Sequence, residues 1–133
     1  MTFVAETTFH VRYLETDAQG VVNHAHYVAY LEEGRSSYIR QRGHSYAAME
    51  RAGHVLAVTD IQVRYHRSAV YDDRITVRTW LGEARSRTLT FHYQIIRAET
   101  GEELVTGTTK HICLDRTGKV SRIPQEWRQW MEG

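Results

Sequence analysis

The chain has 133 residues, 41% of them hydrophobic, enough for one compact core and too few for two ordinary domains, so residues 1–133 read as one domain. Seventeen basic residues against sixteen acidic ones leave a formal charge of +1, which gives no support to a general nucleic-acid or membrane-surface role. Cys113 is the single cysteine, the N-terminus lacks a basic-then-apolar leader, and no run approaches the roughly 18 apolar residues of a membrane span; a cytoplasmic protein is the expectation.

In chain order, "TFHVRYLE" from Thr8 sets Phe9, Val11 and Tyr13 against His10 and Arg12, the period of a strand. A loop follows, and from Ala25 the spacing changes to Tyr27, Tyr30, Leu31, Gly34 and Tyr38, the stripe of an amphipathic helix of about five turns. It ends at "IRQRG", with Gly43 where a left-handed residue belongs. Gly34 lowers helix propensity, which predicts a close packing contact there. A shorter helix is expected over Ser45–Arg51. Four strands come next. The first, "LAVTDIQVRYH", places Ala57, Thr59, Ile61, Val63 and Tyr65 on one face. "RITVRTWLGE" and "RTLTFHYQIIR" alternate cleanly, and "ELVTGTTKHICLD" is rich in β-branched residues. Turns fall at "YDDR", "GEARS", "AETGEE" and "DRTGK". Such short connections favour antiparallel neighbours. The result is an α+β two-layer domain, one long helix on a mostly antiparallel sheet of about five strands. One helix cannot cover such a sheet, and open edges are a liability, so a homodimer is expected through edge or helix contacts.

The loop "TDAQGVVNHAH" collects Asp17, Gly20, Asn23, His24 and His26 just ahead of the long helix. Taken alone, Asp17 fits a loop or capping aspartate. With Asn23 as N-cap, His24 is the first helical residue, and its backbone N–H has no intrahelical partner. That N–H lies at the positive end of the helix dipole, where a carbonyl oxygen gaining charge is stabilised. Gly20 allows a tight turn. Asp17, seven residues earlier, can act as base or nucleophile on a carbonyl carbon held there. Asn23 serves as a cap, as part of a pocket, or both. A metal site is not expected, because His24 and His26 diverge at a helix start, unlike an i, i+4 zinc pair. The serines lack a nucleophile elbow, and Cys113 reads as a small core residue. Glu32 and Arg35 read first as a surface pair on the helix.

The segment "YLETDAQGVVNHAHYVAYLEEGR" resembles the N-terminal signature of hotdog-fold acyl-CoA thioesterases, with the hydroxybenzoyl-CoA and Tol–Pal-associated thioesterases as the group most alike. "VRYHRSAVYDDRITVRT", "RSRTLTFHYQIIR" and the late "RIP" at Arg122–Pro124 extend the likeness over almost the whole chain. It implies a long central helix wrapped by a curved antiparallel sheet. It also implies a homodimer or tetramer with active sites at the subunit interface, and hydrolysis of an acyl-CoA to acid and CoA with no cofactor. By position, Asp17 matches the catalytic carboxylate and the His24 backbone N–H the group that polarises the thioester carbonyl. Gly20, Asn23, Tyr27 and Glu32 are the substrate-side candidates, although core packing also accounts for the tyrosine stripe. Arg85, Ser86 and Arg87 match where relatives place basic residues for the nucleotide, with Arg67, Lys119 and Arg122 as further candidates. Asn23 and Ser68 depart from the pattern, standing where the group has an aromatic and a proline; both bear on substrate choice more than on chemistry. An acyl carrier protein thioesterase and a non-catalytic acyl-CoA-binding module are the alternatives. A hydratase is disfavoured, because "DAQGVVNH" lacks the Asp–His motif of hotdog hydratases.

Overall fold

The computed structural model describes residues 2–132. In chain order it contains β1 (Val4–His10), a 3-10 turn (Tyr13–Glu15), α1 (His24–Gln41), α2 (Tyr46–Arg51), β2 (Val55–Tyr65), β3 (Arg74–Ala84), β4 (Thr88–Arg97), β5 (Glu103–Leu114) and α3 (Gln125–Glu132). The strands form one antiparallel sheet in the order β1-β3-β4-β5-β2, so β1 and β2 are its edges. Among the described residues no helix is long and apolar enough to cross a membrane.

The long helix follows the predicted stripe. Tyr27, Tyr30, Leu31, Gly34 and Tyr38 are all buried, against inner-face residues such as Ile75, Val77, Phe91 and Ile95. A Cβ on Gly34 would stand 2.5 Å from Val77 Cγ1 and 2.6 Å from Thr79 Oγ1, so glycine is what lets α1 lie this close to β3. The helix ends as expected, with Gly43 at φ 87°. Ser45 caps α2 by accepting the Ala48 N–H at 3.1 Å. Cys113 is buried in β5.

Three expectations need correction. The first strand lies earlier, at Val4–His10, and Tyr13 is not on a core face but 76% exposed. The chain leaves the sheet after His10 because the Glu15 carboxylate accepts the Arg12 N–H at 2.8 Å and folds residues 12–15 into a tight turn. In β2, a bulge between Val58 and Asp60 shifts the register, so Leu56 and Val58 share a face with Ile61, Val63 and Tyr65, while Ala57 does not. The amphipathic α3, whose Trp127 is buried near Tyr46 and His44, has no counterpart in the predicted elements.

The helix α1 lies over β1, β3 and β4, and Leu31 reaches as far as Gly107 of β5. Beyond it, Val58, Ile61 and Tyr65 of β2 are 44%, 42% and 42% exposed on the same side of the sheet. An open trough therefore runs between α1 and the β2 edge.

Candidate active site at the helix N-terminus

The loop between the 3-10 turn and α1 is a small closed hairpin. Thr16 and Val22 form an antiparallel bridge, and the Asn23 N–H donates to the Glu15 carbonyl at 2.9 Å. At its tip the Gly20 N–H donates to the Asp17 carbonyl at 2.9 Å, with Gly20 at φ 80° and open space where a Cβ would be. The Asp17 side chain is exposed, and its Oδ1 accepts the Gln19 N–H at 2.8 Å. Asp17 is thus oriented by its own turn. The hairpin is tied to the rest of the fold through the Val22 N–H, which donates to the Ala69 carbonyl at 2.9 Å, and the Val21–Val70 bridge.

Asn23 has extended backbone (φ −66°, ψ 141°), and its Oδ1 accepts the Ala25 N–H at 2.9 Å. Its carbonyl accepts the His26 N–H at 3.0 Å. The cap satisfies the second and third helical N–H groups and leaves the first, that of His24, without an acceptor among the described residues. Such a group can receive an oxyanion. Tyr65, at the end of β2, fixes this terminus. Its hydroxyl donates to the His24 carbonyl at 3.2 Å, and its ring meets the His24 imidazole edge-on at 4.8 Å. Sequence reasoning read Tyr65 only as a strand residue, since nothing local links it to a helix 41 positions earlier.

Tyr27 is 2% exposed, and its hydroxyl accepts the Ala69 N–H at 2.9 Å. It packs between Tyr30 and Tyr65, so its observed part is to hold the Ala69 segment against α1. Glu15 carries a feature the sequence reading missed. This carboxylate is 2% exposed and takes hydrogen bonds from the Arg12 backbone, the Arg12 guanidinium and the Tyr30 hydroxyl at 2.8 Å. Burial pushes its pKa up, but those donors outweigh burial and leave it below the ordinary carboxylate value. It locks the turn two residues before Asp17.

The other candidates lie further off. Glu32 is exposed two turns along α1, and Arg35 does not form the expected surface pair with it; Arg35 turns inward and donates to the Tyr93 hydroxyl at 3.2 Å. Arg67 is exposed, 3.5 Å from Glu102. Arg85, Ser86 and Arg87 sit in the β3–β4 turn; the Ile123 N–H donates to the Ser86 carbonyl and the Cys113 N–H to the Arg87 carbonyl. Lys119 and Arg122 lie in the same region, after β5. These five residues occupy the end of the sheet opposite the Asp17 hairpin, roughly 30 Å away along β3. Within one chain the structure does not bring them to Asp17 and His24. Among the described residues no three His, Cys, Asp or Glu side chains converge as a metal set.

A helix laid on a curved five-stranded antiparallel sheet, with a carboxylate turn at its N-terminus, is the hotdog arrangement, and residues 11–131 match the thioesterase-like superfamily. The chain belongs to that superfamily. Among its relatives, the putative acyl-CoA thioesterase YneP of Bacillus subtilis is 34% identical over 113 residues, covering 85% of this chain and 81% of that protein. The acyl-CoA thioester hydrolase YbgC of Escherichia coli O6:H1 is 35% identical over 89 residues, 67% of this chain and 66% of its own. The DHNA-CoA thioesterase structure from Staphylococcus aureus superposes with a TM-score of 0.90 at 35% identity, covering 97% of this chain and 87% of that one.

Proposed function

We propose that this protein hydrolyses acyl-CoA thioesters. The observation that carries the reading is the unpartnered His24 N–H at the start of α1, next in the chain to a turn that presents the Asp17 carboxylate. In this reading the thioester carbonyl accepts a hydrogen bond from His24 N–H, which stabilises the oxyanion as the carbon becomes tetrahedral. Asp17 either removes a proton from the attacking water or attacks the carbonyl itself. In the first route the C–O bond to water forms as the C–S bond breaks, and the proton taken up by Asp17 passes to the leaving sulfur. In the second the C–S bond breaks to leave an acyl–Asp17 anhydride, which water hydrolyses to the free acid and the restored carboxylate while its proton goes to the thiolate. In both, CoA leaves as the thiol. The names of the relatives YneP and YbgC support the same substrate class.

The working unit is a homodimer paired through β2. That edge strand is 11 residues long and borders the apolar trough. Antiparallel pairing of two β2 strands would set the Val55 end of one beside the Tyr65 end of the other. The basic end of one sheet then approaches the Asp17 hairpin of its partner, which gives Lys119, Arg122 and Arg87 a route to the CoA phosphates that a single chain lacks.

The test is thiol release across a panel of acyl-CoAs by wild type and Asp17→Asn. The expected loss in kcat is at least about 10²-fold, the range for a positioned acid or base, with an unchanged melting temperature. Turnover within threefold of wild type would refute the role of Asp17. A wild type that binds CoA but releases no thiol would favour a binding module.

A further inference from the structure

The Asp17 hairpin is held from two sides. Towards α1 it is anchored by Glu15, whose carboxylate accepts the Tyr30 hydroxyl at 2.8 Å. On the other side it rests against residues 68–73, between β2 and β3, through the Val21–Val70 bridge and the bond from the Val22 N–H to the Ala69 carbonyl. Val21 also closes the turn on Asp17. The Asp17 N–H donates to the Val21 carbonyl at 2.9 Å, and the Val21 N–H donates to Asp17 Oδ1 at 3.4 Å. Among the described residues the Asp17 carboxylate is bonded only within this turn. A shift of Ala69 and Val70 therefore passes to the carboxylate.

Segment 68–73 is irregular, and such connections are ordinarily among the more mobile parts of a fold. Here Asp73 closes it into a turn. Its Oδ2 accepts the Val70 N–H at 2.8 Å, and its own N–H donates to the Val70 carbonyl at 3.1 Å. The same Oδ2 receives the guanidinium of Arg97, at the end of β4, in a largely buried ion pair. Arg97 Nη2 also donates to the Ser68 carbonyl at 3.4 Å, so one side chain spans both ends of the segment. Its Nε donates to Glu102 Oε1 at 3.2 Å, which holds the fork in place. Within the turn Asp72 has φ 68°, a left-handed conformation uncommon outside glycine and kept where neighbours fix it. An ion pair of this kind adds little net stability, because desolvation offsets attraction. What the rigid guanidinium fork supplies is a definite position. Resting on the thioesterase reading above, we infer that Arg97 is a positioning residue for that reaction, acting through Asp73, Val70 and Val21 to set where the Asp17 carboxylate stands against the thioester carbonyl. It touches no reacting atom. A misplacement of about 1 Å costs on the order of 10²-fold in rate.

The experiment measures kcat and KM for thiol release by Arg97→Met, Arg97→Lys and Asp73→Asn, each alone and combined with Asp17→Asn. Arg97→Met is expected to lower kcat by about tenfold to 10²-fold with KM changed by less than about twofold, because the hairpin shifts while the groups that hold CoA do not. Arg97→Lys keeps the charge beside Asp73 without the fork to Ser68, and retains part of the rate. Asp73→Asn keeps an acceptor for the Val70 N–H and removes the charge, giving a smaller fall of the same kind. The Asp17→Asn background decides. A residue that acts through Asp17 loses its effect there, to within about twofold, whereas one that only supports the fold lowers the residual rate by the same factor as before. Equal factors in the two backgrounds overturn the inference, as does a folded Arg97→Met with wild-type kcat. If Arg97→Met does not fold, Arg97→Lys and Asp73→Asn are judged by the same comparison. Absence of thiol release by wild type from every ester refutes the thioesterase reading instead, and the placement is then read by amide hydrogen exchange. Exchange about tenfold faster at Asp17 and Val22 in Arg97→Lys, with Val77 and Ile95 unchanged, upholds Arg97 as the residue that places the hairpin; unchanged exchange at Asp17 and Val22 sinks it.

Discussion

Glu15 and His111 are two polar side chains that the fold keeps from water, at 2% and 1% exposure, and they share a consequence for acid stability. Both hold pKa values below their ordinary ones when folded, Glu15 because its donors outweigh burial and His111 because burial and Arg35 disfavour a second charge. Above pH 6.5 both contributions are complete. As the pH falls from 6.5 towards about 3, the unfolded chain protonates His111 while the folded chain resists, and stability declines. Below the ordinary carboxylate value of 4.5, Glu15 adds to the decline. His111→Gln should therefore show a flatter melting temperature against pH between 6.5 and about 3; a slope equal to wild type would remove His111 from the account. Asp17, Asn23 and the His24 N–H were legible in the sequence because a capping residue, a turn glycine and a helix stripe are local signals. Glu15, Arg35 and Tyr65 were not. Their partners are Tyr30, Tyr93 and the His24 carbonyl, and only the folded chain brings these to them.

Among the elements, α1 and β3 are held together by a missing methyl. At Gly34 an added Cβ would fall 2.5 Å from Val77 Cγ1 and 2.6 Å from Thr79 Oγ1, both on the sheet that α1 covers. Gly34→Ala gains helix propensity, but relieving the overlap needs α1 to lift. The packing loss wins, by about 1–3 kcal/mol of net destabilisation. A lower urea midpoint with unchanged helical circular dichroism is the expected result; an unchanged or higher midpoint would show that Val77 and Thr79 simply turn aside. The need for glycine here was readable, because a helix former would otherwise occupy a mid-helix position. The bulge in β2 was hidden by the clean alternation of "LAVTDIQVRYH", since period-2 counting has no means of registering one extra residue. The turn at Arg12–Glu15 was hidden in the same way by Val11 and Tyr13, which keep the parity of a strand after the strand has ended.

For the whole molecule, the unfilled side of the sheet sets the terms. Val58 and Ile61 are exposed where a core would continue, and they border a strand with one unpaired edge. If the homodimer forms there, Ile61→Glu places a charge in its apolar seam. Sedimentation or light scattering should then show a monomer, with thiol release greatly reduced even though Asp17 and α1 are untouched. A dimer that survives Ile61→Glu would assign the contact to another face. The architecture was legible at this scale because short connections and one helix stripe permit few arrangements. The distribution of the basic residues was not, since Arg85–Arg87 and Lys119–Arg122 are near each other in space but remote from the hairpin they were expected to serve.

The donor at the start of α1 belongs to the main chain, and this shapes how the site can be damaged or redesigned. Replacing the imidazole at position 24 leaves that N–H in place, so the position is open to variation without loss of the group proposed to meet the thioester carbonyl. Proline is the exception, because it deletes the N–H and keeps the helix. Proline is favoured at the first helical position, and it demands extended backbone in the residue before it, which Asn23 already has at φ −66° and ψ 141°. His24→Pro is thus a deletion of one hydrogen-bond donor from an otherwise intact scaffold. It should lower kcat by about 10²–10³ with melting temperature and helical content preserved, whereas His24→Ala keeps most of the turnover. Equal rates for the two variants would move the oxyanion contact elsewhere.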